Sequence, residues 1–583
     1  MPPDPARPAA EIWHAAERRL FAKLLAEFAY EEVLTPVPLG EGRYELPVTD
    51  DLTYRFHAER GAYGHWRVDP ESITPEADPL AFIRHAHDTL LGLGGDTTGH
   101  LIRELTATLS ADASIDERAA TVSELAELDY GRLEGHQSGH PWLVANKGRV
   151  GFSASDAARW APESRVPQSL PWLAVHRDLA DYRGVPELAE PERLYAEELS
   201  DEVRAAFAAA VTAAGRDPGD YLWLPVHPWQ WDNTIAPLFA PQIADGLLIP
   251  LPTDGDVRLA QQSIRTFVNT SRPTGRSVKL PLSILNTLVW RGLPTERTLA
   301  APAVTAWMHS LRDADPFLAE ETRPVLLGET ASVTVSHPLY DRLPSVPYQY
   351  RELLGAIWRE PVAQYLEPGE RARTLASLLS TDRYGASFTA ELIQRSGLDA
   401  REWLGRLHAA LLPPLLHFLY RYGTVFSPHG ENTIVIFDAD DIPVRLAVKD
   451  FVDDVNISSD PLPELSNLPE PVREVLLTEP PSFLTQFIHS GLFVGVYRYL
   501  APLCAEHTGV PEDEFWAQVR AEILRYQQRF PELKDRFETF DLLTERIDRL
   551  CLNRNRLHLD GYRDRSERPH AAVHGTIANP LSG

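Results

Sequence analysis

The alternation of apolar and polar residues in the C-terminal half of the chain predicts a β-hairpin with polar residues at its open end. Two strand-like runs, 433–437 and 444–449, are separated by a segment that opens with the turn-forming residues 438–441. In an antiparallel pair, the entrance of the first strand lies beside the exit of the second. We therefore expect Asn432, before the first strand, to lie next to Asp450, after the second.

Apolar residues at helical spacing predict most of the other elements. In residues 11–30, for example, Trp13 and Phe28 belong to one apolar face with charged residues between them. The same pattern predicts helices over 80–91, 118–128, 205–214, 304–312, 350–358, 374–379, 403–422 with an interruption at Pro413-Pro414, 483–505 and 512–530. Residues 300–420 are accordingly expected to be mostly helical.

Further strands are predicted in the first half of the chain. Residues 52–56 alternate between apolar and polar side chains, and 62–68 could pair with them. Residues 221–231 and 278–290 are each predicted as one strand. Pro281 would confine the start of the second of these strands to a sheet edge.

Composition limits the possible classes of function. The 583 residues exceed one folding unit, and roughly three or four domains are expected. The net charge of −27 argues against nucleic acid and anionic membranes as partners, so a nucleotide site would need locally clustered cations. No apolar run is long enough to span a membrane, no signal peptide is recognised at the N-terminus, and two cysteines make no disulfide framework. We therefore expect a cytoplasmic protein.

The open end of the hairpin is suited to a magnesium ion. Mg²⁺ prefers oxygen ligands and takes few of them from protein, and Asn432 and Asp450 would offer an amide and a carboxylate oxygen beside phosphate groups. Protein kinases hold Mg²⁺ with a similar pair. A polar turn that only caps the hairpin is the alternative interpretation.

Cations and small hydroxyls cluster on either side of a loop rich in Pro, Gly and Ser. The cations are Arg265, Lys279 and Arg291, and the hydroxyls are Ser263 and Thr266. Hydroxyls donate hydrogen bonds and cations neutralise charge, so the combination suits a triphosphate. A solvated basic face is the alternative.

A Gly-rich polar segment, residues 135–153, contains His140, Lys147 and Arg149. Its glycines would let the backbone approach a ligand closely, although a surface loop with solvated cations has the same composition. The motif His-Pro-Trp-Gln at 227–230 ends a predicted strand. Such a strand end is common at the edge of a cleft, but it is equally common where no cleft exists.

Six motifs in this order resemble the siderophore synthetases that work independently of nonribosomal peptide synthetases, the aerobactin-synthetase-like IucA/IucC family. The motifs are Gly139-His140-Pro141 with Lys147 and Arg149, His227-Pro228-Trp229-Gln230, Ser263-Ile264-Arg265-Thr266, Lys279, Arg291, and His429-Gly430-Glu431-Asn432 with Lys449-Asp450. Through the segments AQQSIRT, PHGEN and GTIANPL, the chain most resembles the desferrioxamine-synthetase-like branch.

The resemblance implies an α+β fold shaped like a cupped hand, with antiparallel sheets, a helix-rich C-terminal part and a homodimeric assembly. Residues 1–135 would form the thumb, 136–355 the fingers with the ATP-phosphate-binding residues, and 356–583 the palm with the magnesium and substrate site. It also implies an AMP-forming ligase that adenylates a carboxylic acid and condenses it with the amine of a hydroxamate or polyamine precursor.

The resemblance assigns roles to individual residues. His429, Arg291, His140 and Lys279 would be catalytic, with Arg291 between phosphate and substrate carboxylate and both histidines near the reacting carboxylate. Asn432 and Asp450 would bind Mg²⁺. The ATP-binding set would be Ser263, Arg265, Thr266, Lys279, Arg291, His429, Glu431 and Asn432.

Several questions remain open in the sequence. Ser427 stands where some relatives carry an acidic residue, so a third protein ligand to magnesium is not identified, and either Arg554 or Arg556 could be the basic residue that binds citrate in some relatives. The acid could be a succinyl hydroxamate, citrate or a citryl amide. One alternative is a small-molecule kinase that uses Asn432 and Asp450 and would release ADP instead of AMP; against it, no kinase-type Gly-rich loop precedes a strand with a lysine. The other alternative is a binding protein with this fold, which would release neither nucleotide.

Overall fold

The computed structural model describes residues 9–559, 561–568 and 572–583. Within them the fold is α+β, as predicted. The α-helices are Ala10–Tyr30, Pro79–Ala86, Gly95–Glu117, Val122–Ala126, Tyr130–Leu133, Ala154–Trp160, Pro191–Glu198, Asp201–Ala213, Pro228–Gln230, Ala236–Leu238, Ala240–Ala244, Thr295–Ala314, Phe388–Ser396, Ala400–Tyr422, Phe451–Asp454, Glu470–Val475, Pro481–Ile488, Arg498–Thr508, Glu512–Arg529, Lys534–Thr539 and Leu552–His558. Among the described residues, no helix has both the length and the apolar composition that a membrane crossing requires.

The described strands form seven sheets, in which most neighbouring strands are antiparallel. In sheet order the strands are Val37–Gly40, Arg43–Thr49, Leu52–Arg60 and Trp66–Val68; Ala180–Gly184, Glu329–Val335, Gly355–Arg359, Ser277–Lys279, Thr266–Asn269 and Arg258–Ala260; Leu282–Asn286 and Val289–Arg291; Val325–Leu327, Pro443–Lys449, Thr433–Phe437 and Arg371–Thr374; Thr424–Val425, Asn456–Ser458 and Leu477–Glu479; Arg546–Leu550 and Val573–Ala578; Tyr221–Pro225, Trp172–His176 and Leu248–Leu251.

Two of these sheets position the candidate site. The predicted hairpin is confirmed as the antiparallel pair Thr433–Phe437 and Pro443–Lys449, and it lies in a four-stranded sheet. That sheet is joined to the six-stranded sheet through Gly328, because Val325–Leu327 belongs to the first sheet and Glu329–Val335 to the second. The candidate residues of the two sheets are therefore held on one continuous framework.

The two largest hydrophobic cores support these sheets. The larger core packs the N-terminal helix Ala10–Tyr30 and the helix Ala400–Tyr422 with the apolar face of the hairpin. The other core lies around the six-stranded sheet, where Trp172 and Trp358 are 1% exposed. Burial of this much apolar surface is the main stabilising contribution to such a framework.

Within the region 300–420, the helices predicted at 304–312 and 403–422 are confirmed by Thr295–Ala314 and Ala400–Tyr422, but the helix predicted at 350–358 is wrong. The segment 350–358, predicted as a helix, contains the strand Gly355–Arg359, whose residues are all buried. A strand buried on both faces has no polar side to reveal its two-residue period, so its apolar run resembles that of a buried helix. The same region contains the further strands Val325–Leu327, Glu329–Val335 and Arg371–Thr374.

Other helix and strand boundaries differ from the predicted ones at prolines, at a tight turn and at a helix cap. The predicted strand at 278–290 is three strands, separated at Pro281 and at Thr287, whose φ of 58° forms a tight turn. The predicted helix at 118–128 is shortened because Thr121 forms a capping box with Glu124. The strand at 221–231 ends at Pro225, and Pro228 begins a helix. The predicted interruption at Pro413-Pro414 is absent.

Candidate active site

The two ends of the hairpin meet as the sequence predicts. The backbone N–H of Lys449 donates to the carbonyl of Asn432 at 3.2 Å, so Asp450 follows directly beside Asn432. Asp450 adopts a left-handed conformation with φ of 74° and turns the chain into the helix Phe451–Asp454. The two side chains then point to different partners, since Asp450 contacts basic residues and Asn432 contacts a carboxylate.

Lys279 lies at the centre of a buried charge cluster. Its ammonium contacts Asp450 and lies 2.8 Å from Asp453 and 3.8 Å from Glu329. Burial lowers the pKa of Lys279, but attraction by these carboxylates outweighs it and leaves the pKa raised. Arg359 also contacts Asp450 and lies 3.1 Å from Glu329. Burial raises the pKa of Asp450, but Lys279 and Arg359 outweigh burial and hold that pKa well below its usual value.

The predicted phosphate-binding residues converge on this cluster. Thr266 stands directly opposite Lys279 in the strand register. The hydroxyl of Ser263 accepts from the backbone N–H of Thr266 at 3.2 Å. Arg265 donates to the carbonyl of Gly292 and lies 3.9 Å from Asp453. Hydroxyls, a lysine and an arginine thus lie together in one place.

His429, Asn432 and Asp454 form a second polar group beside the cluster. The His429 Nδ1 atom accepts from the backbone N–H of Glu431 at 3.3 Å and of Asn432 at 3.4 Å, which leaves Nε2 at 3.7 Å from Asp454. The Asn432 amide donates to the same carboxylate. Burial lowers the pKa of His429, but the bond to Asp454 outweighs it and raises the pKa.

The oxygen donors at the open end of the hairpin fit Mg²⁺ only if a bound ligand supplies the rest of its coordination. No group of three or more His, Cys, Asp or Glu side chains in the part of the chain that the structure describes could hold a metal by itself. The oxygens of Asn432, Asp450 and Asp454 are nevertheless the type that Mg²⁺ prefers, and Mg²⁺ is commonly held by one or two carboxylates together with substrate phosphates. The residues therefore fit a magnesium ion that arrives with a phosphate ligand.

A cavity of about 400 Å³ opens next to these groups. His140, Arg291, His429 and Glu431 line one part of it. The same lining also contains apolar side chains, Leu379, Phe483, Phe487, Leu550, Leu552 and Val573. A small molecule with a charged end and an apolar body would match this lining.

Arg291 is a partly buried cation in the cavity lining that makes no ion pair with a carboxylate among the described residues. Its Nε atom is buried and has no hydrogen-bond partner there, while Nη2 donates to the hydroxyl of Thr287. Burial, followed by repulsion from Arg265, lowers the pKa of Arg291 to about 10. Since a buried cation is costly unless paired, the site is suited to an anionic ligand.

His140 is held as a neutral donor in the same cavity lining. Its Nδ1 accepts the backbone N–H groups of Trp142 and Leu143, both at 3.2 Å. Burial, then repulsion from Lys23, His429 and Arg291, lowers the pKa of His140 to about 3. With Nδ1 accepting, the proton of the neutral ring is on Nε2, and the ring can donate to a ligand.

Some motif residues have partners elsewhere. Lys147 lies 2.9 Å from Asp112, and Arg149 pairs with Glu163 in a buried ion pair. His227 is completely buried, and its Nδ1 caps the helix Pro228–Gln230 by accepting from Trp229 at 3.0 Å. Lys147 and His227 therefore support the local structure, whereas Arg149 also lines the cavity.

Neither candidate C-terminal arginine lines the cavity of His140 and Arg291. Arg556 lies 2.6 Å from Glu104 in a buried ion pair. The backbone N–H of Arg554 donates to Glu31 at 2.6 Å. The choice between the two arginines as a substrate contact therefore stays open.

Sequence reasoning missed three residues of the charge cluster, Asp453, Glu329 and Arg359, and Asp454 of the polar group beside it. The two aspartates follow Asp450 in the segment KDFVDD, so their proximity in sequence was an available signal. Glu329 and Arg359 lie on strands of a region predicted as helical, and no local signal relates them to Asp450. Only the strand order of the six-stranded sheet brings them to the site.

Comparison with known proteins identifies the family. The family model described as IucA / IucC matches residues 129–380, and a model described as ferric iron reductase FhuF-like transporter matches residues 401–565. The chain is 41% identical to the rhizobactin siderophore biosynthesis protein RhbF of Rhizobium meliloti, over 99% of this chain and 98% of that protein. It is 34% identical to the putrebactin synthase of Shewanella sp., over 99% of this chain and 93% of the relative.

A solved structure has the same fold over nearly its whole length. The aerobactin synthetase IucC of Klebsiella pneumoniae superposes with a TM-score of 0.86 at 32% identity, over 98% of both chains. Fold, sequence and family model agree over the regions that contain the charge cluster and the cavity. The chain belongs to the siderophore synthetases of the IucA/IucC type, which work independently of nonribosomal peptide synthetases.

Proposed function

We propose that the chain uses ATP to join a carboxylic acid to the amine of a hydroxamate or polyamine precursor, through an acyl-adenylate, in siderophore biosynthesis. The observation that carries the proposal is Arg291, a partly buried cation that makes no ion pair in the described residues and lines one cavity with His140 and His429. A guanidinium binds a carboxylate or a phosphate most strongly, because both accept two of its N–H groups.

The proposed reaction has two steps. A carboxylate oxygen attacks the α-phosphorus of ATP, a new P–O bond forms, and the bond to the β-phosphate oxygen breaks to release pyrophosphate. The amine then attacks the acyl carbon, the bond from that carbon to the AMP oxygen breaks, and the amine loses a proton to solvent or to a nearby base. AMP and the amide are the products, and no nucleophilic side chain is needed.

Different residues would bind the phosphates and the acid, and their fixed donors would stabilise the charge that develops in the reaction. Ser263, Arg265 and Thr266 would donate to phosphate oxygens beside Lys279; the register of Thr266 opposite Lys279 and the bond between Ser263 and Thr266 support this. Arg291 would bind the carboxylate and hold it in line with the α-phosphorus. Fixed donors in a site with little water stabilise developing charge strongly, because they need no reorganisation during the reaction.

Magnesium would be held by Asn432 and Asp450, with Asp454 as the further carboxylate beside them. The ion would neutralise phosphate charge and make the α-phosphorus easier to attack. Lys279 and Arg359 would then exchange part of their attraction to Asp450 for attraction to phosphate. His140, neutral and donating, would hydrogen-bond the reacting carboxyl group.

The apolar part of the cavity favours a substrate with a flexible hydrocarbon arm. Phe483, Phe487 and Leu552 would pack against methylene groups, while the charged end remains near Arg291. A succinyl hydroxamate carries such an arm, and citrate does not. Citrate and citryl amides remain the alternatives that the experiment below separates from it.

We also propose that the enzyme works as a cytoplasmic homodimer without nucleic acid. The net charge of −27 disfavours nucleic acid, and both cysteines, Cys504 and Cys551, are buried and unpaired, as is usual in a reducing compartment. Light scattering of the eluted protein would show twice the 65.3 kDa chain mass for a dimer.

Incubation with ATP, Mg²⁺ and a panel of acids, with hydroxylamine as the trapping amine, tests the proposed function. We expect acid-dependent hydroxamate with equal amounts of AMP and pyrophosphate. Release of ADP would support a kinase, and the absence of any acid-dependent nucleotide turnover would contradict the proposal. Arg291→Ala serves as the matched inactive control.

A further inference from the structure

The loop that contains Ser263 has a strained backbone conformation. Within residues 261–265, named here the Ser263 loop, Ile264 has a φ of 67° although it is β-branched and completely buried. A β-branched residue in this region is a genuine outlier, and such strain persists only where surrounding contacts fix it. Ser263 and Arg265, on either side of Ile264, owe their directions to this conformation.

Glu134 supplies contacts that fix the Ser263 loop. Its carboxylate accepts from the backbone N–H of Gln262 at 2.8 Å, and its carbonyl accepts from the Gln262 side chain at 2.6 Å. With the nitrogen of its amide facing Glu134, Gln261 donates to both carboxylate oxygens at 3.2 Å. The Glu134 side chain is completely buried, so these bonds are shielded from competing water.

Glu134 also contacts the hairpin. Its carboxylate lies 3.7 Å from the ammonium of Lys449, which donates to the hydroxyl of Tyr130 at 3.1 Å. The backbone of Lys449 bonds to Asn432, and Asp450 is the next residue. One buried carboxylate thus touches both the Ser263 loop and the end of the hairpin.

We propose that Glu134 is a positioning residue that holds the Ser263 loop in register with the open end of the hairpin, so that the phosphate-binding and metal-binding groups face one nucleotide. This role rests on the proposed function. Glu134 itself touches neither ATP nor the acid. Its loss removes the acceptor of the Gln262 N–H and leaves Lys449 without its buried carboxylate, and a buried cation without a partner disturbs its surroundings strongly.

Three variants separate positioning from general stability. Glu134→Ala removes the acceptor, and Glu134→Gln keeps an acceptor for Gln262 but not the charge. Asp441→Asn is the matched control, because Asp441 is a buried carboxylate at the far turn of the same hairpin, 2.8 Å from Arg373 and 2.7 Å from Arg395. For each variant we would measure KM for ATP, KM for the acid, kcat, the melting temperature and hydrogen exchange of residues 261–265.

We expect Glu134→Ala to raise KM for ATP at least tenfold and to speed hydrogen exchange in the Ser263 loop, while KM for the acid stays within twofold. Glu134→Gln should recover most of the ATP affinity. Asp441→Asn should lower the melting temperature and leave both KM values and the exchange of the loop unchanged.

Two results would overturn the role of Glu134. One is a Glu134→Ala protein with normal KM for ATP and normal loop exchange, and the other is equal impairment of both Glu134 variants and the Asp441 control. If the wild-type protein turns over no ATP, the proposed function fails, and hydrogen exchange alone still decides whether Glu134 fixes the loop. If Glu134→Ala does not fold, Glu134→Gln is compared with the control by exchange and KM.

Discussion

At the scale of single residues, the cations of the site differ in how many carboxylates neutralise them. Lys279 lies close to three acidic side chains, whereas Arg291 makes no ion pair among the described residues. A cation that is already neutralised must exchange partners when a nucleotide binds, and an unpaired one can bind an anion at once. We therefore expect Arg291 to contribute most to binding of the acid, and Lys279 to respond to charge changes at Asp450.

Asp450→Asn should lower adenylate formation by at least a hundredfold, because metal stabilisation of phosphate charge contributes roughly several kcal/mol. In the absence of Mg²⁺, ATP affinity should stay the same or improve, since Lys279 and Arg359 lose a competing carboxylate. Some loss of stability is also expected, because the substitution leaves two buried cations with less compensation. Pyrophosphate release and thermal melts on one sample would check this.

A fully folded Asp450→Asn protein that adenylates at the wild-type rate would remove Asp450 from the site. If Asp450 only supports the fold, activity would fall only as the folded fraction falls. Asp441→Asn, at the other end of the hairpin, gives the purely structural comparison.

Arg291→Ala should weaken the use of both ATP and the acid with little change in melting temperature, because Arg291 makes no described ion pair that supports the fold. His227→Ala should instead lower the melting temperature, because His227 is completely buried, caps a helix and packs against Trp160 and Phe267. Steady-state kinetics and thermal melts of both variants distinguish the two effects. Equal loss of melting temperature with no effect of Arg291→Ala on ATP would reverse these assignments.

Lys23 provides a prediction for the dependence of stability on pH. Burial, then repulsion from Lys147, lowers the pKa of Lys23 from 10.5 to about 8. Below pH 8 the folded and unfolded chains both hold the proton, and the folded chain bears the full cost of burying the charge. Between pH 8 and 10.5 only the unfolded chain keeps the proton, so the contribution of Lys23 to stability improves as pH rises.

Lys23→Met should therefore raise the free energy of unfolding at pH 7 by about 2 kcal/mol. This value is the free energy that corresponds to the lowered pKa of Lys23, reduced by the contribution of its lost hydrogen bond to the carbonyl of His140. The gain should shrink towards pH 10.5. Denaturant unfolding at several pH values would measure it, with the exposed Lys534→Met as the control. A gain independent of pH would contradict the charge-burial explanation.

At the scale of elements, the sequence predicts the hairpin correctly because its turn residues and its strand residues agree. The strand Gly355–Arg359 of the six-stranded sheet could not be recognised, because the run is buried on both faces and lacks a polar period. Arg359 was missed with it. A residue that reaches the site only through sheet order has no signal in its local sequence, which is also why Glu329 was missed.

The helix Ala400–Tyr422 shows packing that overrides local preference. Pro413 and Pro414 predict an interruption, yet the helix continues through both of them. Leu411, Leu412 and Leu415 around them are at most 2% exposed, so their burial offsets the missing backbone hydrogen bonds.

Pro413→Ala should raise the free energy of unfolding by about 1–3 kcal/mol, because alanine restores a backbone donor and Pro413 is only partly buried. Pro414→Ala should gain less, since Pro414 is buried and its ring contributes packing. Denaturant unfolding of both variants measures the difference. A Pro413→Ala protein that is less stable than the wild type would show that the proline ring is required at this position.

At the scale of the whole molecule, the family and the α+β class could be recognised from the sequence because six motifs keep their order. The domain boundaries at 135 and 355 stay predictions. The site lies where two sheets joined through Gly328 meet, and three buried cations of the strongly acidic chain, Arg265, Lys279 and Arg359, lie there. The exchange of carboxylate partners for phosphate in this cluster is the basis of the proposed adenylation.

Transfer of oxygen from the acid to AMP decides whether the acid is adenylated. If a carboxylate oxygen attacks the α-phosphorus, an acid labelled with ¹⁸O in its carboxyl group must leave one labelled oxygen in AMP after the amine reacts. We expect one ¹⁸O per AMP by mass spectrometry and unlabelled pyrophosphate. Label in inorganic phosphate together with ADP, or unlabelled AMP alongside amide formation, would contradict an acyl-adenylate at this site.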